Sequence, residues 1–189
     1  MNRTVRVALF AVAAIIAAHL LDHWAWLKLV DPEIHNNDRG RMFRIAGYYP
    51  VWIAMSAALW LQTRDRSRAL FLGLMPGFGG LAAEILKLLL RRERPAPHEG
   101  EYFFRSFAER PFSTSGLALP SSHALVAFAG AFALCKLYPR AWPVWLTLAA
   151  GCAATRVLAH AHFLSDVVTA AVAAWFLVEI VARKWKLET

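Results

Sequence analysis

Six apolar runs, at residues 5–22, 45–62, 69–90, 122–138, 143–161 and 164–182, leave a chain of 189 residues few folds to adopt. A transmembrane helix needs about 17–25 mostly apolar residues, and each run supplies them. The pattern predicts an all-α integral membrane bundle of six transmembrane helices with interfacial loop segments, in a single domain over residues 1–189. Composition agrees. The chain is 58% hydrophobic and 18% charged, against about 45–50% and about 25% in soluble chains. That excludes a disordered or collagen-like chain and argues against an ordinary soluble domain. Cys135 and Cys152 both lie in apolar runs and form no C-x-x-C pair, so this is no disulfide-dense module.

The first run follows Arg3 and Arg6 but lacks a small-residue cleavage site before Asp22, so it reads as a retained helix. Trp24, Trp26, Tyr48, Tyr49, Trp52, Trp60, Trp142 and Trp145 lie near predicted helix ends, as in an interfacial aromatic belt. Six spans put both termini on one side, with ten Lys and Arg there and eleven opposite. Setting aside the candidate site residues Lys87, Arg94 and Arg156 leaves ten against eight. That tilts both termini toward the cytoplasm. The net charge of +8 then points to membrane lipids and phosphate, with no nucleic-acid partner expected. Two connections, 23–44 and 91–119, are long enough to be functional. The aromatics of the second (Tyr102, Phe103, Phe104, Phe107, Phe112) suggest a segment lying in the interface.

Three polar clusters interrupt the apolar pattern. The first ends the third run: Lys87-Leu-Leu-Leu-Arg91-Arg92-Glu93-Arg94-Pro95. Seven residues are about two helical turns, so Lys87 and Arg94 share a face if the helix reaches Arg94. They could hold a phosphate, or be snorkelling cations at a helix end. Glu84, three before Lys87, reads as its structural partner. The second cluster, Pro120-Ser121-Ser122-His123, is a helix-start signature. Helix starts bind anions, the serines add donors, and His123 could protonate a leaving oxygen. The plainer reading is an N-cap serine beside an interfacial histidine. The third is Thr155-Arg156, then His160, His162, Ser165 and Asp166. An intramembrane Arg156 is costly and marks a site. His162 and Asp166 are four apart, neighbours on a helix face, so Asp166 could fix the tautomer of a nucleophilic His162. His160 lies six before Asp166, off that face. Alternatively, these polar residues satisfy one another in a helix hairpin. With six spans, all three clusters fall on one side of the membrane.

Lys87, six residues, Arg94-Pro95; Pro120-Ser121-Ser122-His123; Thr155-Arg156, five residues, His162, three residues, Asp166: order and spacing resemble the three-part signature of the type-2 phosphatidic acid phosphatase family, in its membrane-bound lipid phosphate phosphatase branch. Ser122 stands where the commonest pattern has Gly, and Thr155 where it has Ser. The resemblance implies a metal-independent phosphomonoesterase or diphosphatase with no cofactor, working through phosphohistidine on a lipid phosphate substrate. Phosphatidic acid, phosphatidylglycerol phosphate, a polyprenyl diphosphate and a lipid A phosphate all lie in the family's range. It implies that His162 attacks phosphorus, Asp166 orients it, and His123 protonates the leaving group. Lys87, Arg94, Arg156, Ser121 and Ser122 would bind the phosphoryl oxygens. The expected setting is a bacterial cytoplasmic (inner) membrane, with the site on the outer, periplasmic face.

Three other readings remain open on the residues. A lipid phosphotransferase would share the covalent half-reaction. A metalloenzyme would use His98, His123, His160 and His162, though their spacing lacks the tight pairing of zinc motifs. A non-catalytic lipid-binding or transport protein would also place polar groups in membrane helices. Gly73, Gly77, Gly79 and Gly80 in the third run predict close helix packing or local bending.

Overall fold

A computed structural model describes residues 3–185 and places seven α-helices among them. They are α1 (Arg3–Lys28), α2 (Asp38–Arg44), α3 (Tyr49–Thr63), α4 (Arg66–Leu90), α5 (Ser122–Leu137), α6 (Trp142–Leu158) and α7 (Leu164–Trp185). Four helices are long and apolar enough to cross a membrane: Val5–Lys28, Arg66–Leu90, Pro139–Leu158 and Leu164–Trp185. The helices of the second and fourth predicted runs are shorter, at 15 residues for α3 and 16 for α5. At 1.5 Å per residue they span about 22–24 Å, less than the roughly 30 Å hydrocarbon core.

Helix limits follow local chemistry. Asp65 caps α4, its Oδ1 accepting from the Arg68 amide at 2.9 Å, and Ser121 caps α5. Pro50 and Pro143 sit in the first turns of α3 and α6, where a missing N–H costs nothing. The chain leaves α4 through Arg91 in the left-handed conformation (φ 59°). Arg94 therefore lies outside the helix, and the expected shared face of Lys87 and Arg94 on one helix is not formed.

Helix α5 is central, packed by α4, α6 and α7, while α1 lies on α7 and α3 on α4. Its inner faces carry small residues, among them the buried Ala124, Ala129 and Ala133. Gly79 of α4 lies against it so closely that an added Cβ would sit 2.9 Å from Leu125 Cδ2. In lipid, where apolar burial gives little drive, such close approach supplies the packing. The aromatic belt is only partly seen. Trp24, Tyr48, Trp60 and Trp142 are exposed. Trp52 is instead a core residue, 5% exposed, with its Nε1 donating to the Ala46 carbonyl at 2.8 Å.

The 91–119 connection is ordered by the backbone of 91–94. The amides of Glu93 and Arg94 donate to the carbonyls of Phe103 and Gly116 at 2.9 and 3.0 Å, and the Arg92 carbonyl accepts from Ala118 at 2.8 Å. Buried Arg91 gathers the far part of the loop, donating to the carbonyls of Ser106 (2.6 Å) and Glu109 (2.5 Å). Phe103, Phe104, Phe107 and Phe112 remain exposed on its outside.

Candidate active site

Lys87 closes α4 and is buried. Its Nζ lies 3.0 Å from Glu84 Oε1 and also bonds the Ser122 hydroxyl. Ser122 Oγ in turn donates to Glu84 at 2.7 Å. The first and second clusters thus meet directly, and the expected pairing of Glu84 with Lys87 is present. Ser121 is fully buried at the start of α5, and its amide donates to the Asp166 carbonyl at 3.2 Å. That bond joins the second cluster to the third.

The third cluster is built on a turn. Helix α6 ends at Leu158, His160 takes a left-handed conformation (φ 53°), and the amide of His162 returns to the Arg156 carbonyl at 3.2 Å. Helix α7 begins two residues after His162. His162 and Asp166 therefore do not share a helix face as their spacing predicts. They meet across a helix start, with His162 Nδ1 3.4 Å from Asp166 Oδ2. The same Oδ2 accepts from the Phe163 amide at 2.8 Å. Asp166 thus serves its own helix as the acid of a capping box, where the dipole favours a negative charge. Burial holds the His162 imidazole below its ordinary value; Asp166 opposes this, and the charges of Arg156 and Arg94 add to it. His160 turns elsewhere and stacks on Trp26, ring centroids 3.7 Å apart.

Arg156 is buried on α6 beside this turn. Its Nη1 lies 3.3 Å from His35 Nε2, and its Nε has no hydrogen-bond partner. His123, on the first turn of α5, lies within the electrostatic reach of Arg156, Arg44, His162 and Lys87. Arg94 is exposed at the edge, and its charge acts on both Arg156 and His162. A buried guanidinium with an unused donor, set among further cations, fits an anion. All eight sequence-selected residues (His162, His123, Asp166, Lys87, Arg94, Ser121, Ser122 and Arg156) come from separate stretches to one end of the bundle.

Sequence reasoning missed several neighbours. Arg92 pairs with Asp166 (Nη2 to Oδ1, 2.5 Å), both fully enclosed. Asp22 of α1 accepts from the Ser165 amide at 2.8 Å and from the Tyr102 hydroxyl at 2.6 Å. His35 reaches Arg156 from the first long connection. An acid closing an apolar run was a usable signal for Asp22. Nothing in the run Arg91-Arg92-Glu93-Arg94 marked which arginine turns inward. Of the histidines weighed as metal ligands, His98 bonds Glu93 at 2.8 Å and His160 stacks on Trp26. Among the described residues no cluster of three or more His, Cys, Asp or Glu could hold a metal ion.

Known proteins resemble this chain in sequence and in fold. Residues 68–188, more than half of the chain, match the family model of the PAP2 superfamily. The chain belongs to that superfamily, which is the type-2 phosphatidic acid phosphatase family that its motifs resemble. It is 38% identical to a lipid A 1-phosphatase of Rhizobium johnstonii over 136 residues, 69% of this chain and 53% of the relative. It is 38% identical to a lipid A 1-phosphatase of Rhizobium etli over 104 residues, 52% and 43% respectively. The chain thus spans about half the length of these relatives. Its fold matches the crystal structure of a transmembrane PAP2-type phosphatidylglycerolphosphate phosphatase from Bacillus subtilis, with TM-score 0.67, 19% identity and full coverage of both chains. The long apolar helices and these relatives make it an integral membrane protein.

Proposed function

We propose that this chain is a lipid phosphate phosphatase working through a phosphohistidine on His162. The observation that carries the reading is the buried, part-unpartnered Arg156 beside a His162 backed by Asp166. Asp166 faces Nδ1 and leaves Nε2 to attack phosphorus. The P–O bond to the lipid breaks, and His123 gives its proton to the leaving oxygen. Lys87, Arg94, Arg156, the Ser121 and Ser122 hydroxyls and the start of α5 hold the three equatorial oxygens, where charge collects in the transition state. Water activated by His123 then splits the P–N bond and releases phosphate. The cations of the chain supply the charge stabilisation, so the reaction needs no cofactor. Asp166, enclosed behind His162, stays clear of the anionic substrate.

The substrate is a lipid carrying a terminal phosphate. The two groups of named relatives act on lipid A and on phosphatidylglycerol phosphate, chemically distinct lipids that share such a phosphate. Phosphatidic acid and a polyprenyl diphosphate present the same group. The domain is single, and all six long helices (α1 and α3–α7) cross the membrane, α3 and α5 with the help of their flanking turns. With the Lys and Arg tilt of ten against eight, both termini lie in the cytoplasm and the site at the outer face of a bacterial inner membrane.

The deciding experiment is phosphate release from a panel of these lipids by purified protein, in excess chelator, beside His162→Ala. Release by the wild type and none by the variant is expected. Equal release from both, or none from either on any lipid, ends the proposal.

A further inference from the structure

The reaction outlined above leaves a buried charge without a task. Arg92 is 1% exposed. Its Nη2 donates to Asp166 Oδ1 at 2.5 Å and to Ser165 Oγ at 2.7 Å. The guanidinium lies over the rings of Tyr102 and Phe163, 5.0 Å from each centroid. Asp22 locks this enclosure from α1 by accepting from the Ser165 amide and hydroxyl (2.8 and 2.5 Å) and from Tyr102 (2.6 Å). A buried ion pair seldom adds net stability over a well-packed apolar pair of the same size. Geometry indicates another use. The two oxygens of Asp166 are divided: Oδ1 goes to Arg92, while Oδ2 takes the Phe163 amide and faces His162.

We propose that Arg92 is a positioning residue for the phosphoryl transfer, its Nη2 pinning one oxygen of Asp166 so that the other faces His162 Nδ1. The inference rests on the function proposed above. It adds a third arginine, beside Arg94 and Arg156, that never touches substrate and occupies one of the six unassigned positions between Lys87 and Arg94. Arg92 also sets the charge behind the catalytic pair. A cation there opposes protonation of Asp166 and, through the Asp166 carboxylate that faces it, of His162. Removing it makes the pair easier to protonate, so the acid limb of activity moves to higher pH. His162 is faced by Asp166 of α7, Arg156 of α6, His123 of α5 and Arg94 of the loop. Arg92 is faced by Asp166, by Asp22 and His19 of α1, and by Tyr102. None of these other groups changes in the test.

The test compares wild type, Arg92→Gln and Arg92→Lys as full chains in detergent micelles. Two readouts are taken: kcat and kcat/KM against pH with phosphatidic acid, and NMR titration of the labelled His162 imidazole. In Arg92→Gln both midpoints should rise by about one pH unit, the size expected for losing a nearby charge. Arg92→Lys keeps the charge but loses the planar guanidinium whose Nη2 bridges Asp166 and Ser165, so its midpoints should hold while kcat falls about tenfold or more. Loss of fold alone would lower activity without moving a midpoint. A His162 titration unmoved in Arg92→Gln overturns the proposal, and so does wild-type kcat in Arg92→Lys. If Arg92→Gln does not fold, the lysine variant decides. The NMR titration needs no turnover, so it reports on Arg92 even if no lipid phosphate is hydrolysed.

Discussion

The amide of Ser121 donates to the carbonyl of Asp166 at 3.2 Å, tying the first residues of α5 to those of α7. This bond fixes the distance between the phosphate-binding helix start and the acid behind the nucleophile. Asp166→Asn keeps the backbone link and removes the charge. Turnover should fall at least about 100-fold, as when the acid of a catalytic triad is neutralised. Phosphate release by purified, monodisperse variant protein checks this. A rate within about threefold of wild type would remove Asp166 from the mechanism.

Arg156→Lys is damaging for a related reason. The buried guanidinium has an Nε without a partner and an Nη1 near His35, so it offers an anion a planar fork that an ammonium cannot copy. Losing one charge-assisted bond in a dry site should reduce kcat/KM by about 10- to 100-fold. An unchanged kcat/KM would show that Arg156 does not hold the phosphate.

Glu84 places a carboxylate on Lys87 and Ser122, two of the groups assigned to phosphate. An incoming phosphate must compete with it for both. Glu84→Gln removes the like charge and frees Lys87, so KM should fall about three- to tenfold with kcat less affected. A rise in KM in assays at constant ionic strength would mean that Glu84 instead orients Lys87 for substrate.

Asp22 is 2% exposed and meets three donors: the amide and hydroxyl of Ser165 and the hydroxyl of Tyr102. Asp22→Ala leaves the Ser165 amide and hydroxyl unpaired in an enclosed space and takes the short bond from the half-exposed Tyr102 hydroxyl. Stability should drop by about 2–4 kcal/mol, seen as a lower Tm in detergent. An unchanged Tm would show that solvent or lipid satisfies these donors without the acid.

The residues show why the sequence was readable to a certain depth. Apolar runs are local and dense, so six of the seven helices could be placed, although α1 runs six residues past its predicted end at 22. The motif residues were legible because their types and spacings are unusual in an apolar chain. Spacing, however, presupposes a helix, and two inferences built on it failed. Arg91 turned left-handed and took Arg94 off the helix of Lys87. A turn at 159–162 put His162 ahead of α7, where Asp166 still reaches it as a capping acid. Contacts made at long range were invisible. Asp22 lies 143 residues from Ser165 and Arg92 lies 74 from Asp166, and no local pattern couples them.

The pH dependence follows from the setting of His162. The imidazole must be neutral to attack phosphorus, so rate is lost as pH falls through its pKa. Burial holds that pKa below the ordinary value, about 6.5, although Asp166 resists. Log kcat/KM should therefore climb from acid pH and bend at a midpoint below about 6.5, falling again where His123, the proton donor to the leaving oxygen, loses its proton. A phosphate monoester also ionises near pH 6, which adds a substrate limb in the same range. A thiophosphate analogue ionises lower and shifts that limb alone, leaving the enzyme limb where it was. If the whole acid limb moves with the analogue, His162 does not titrate in the catalytic range. A midpoint clearly above about 6.5 in both substrates would mean that Asp166 outweighs burial at the nucleophile.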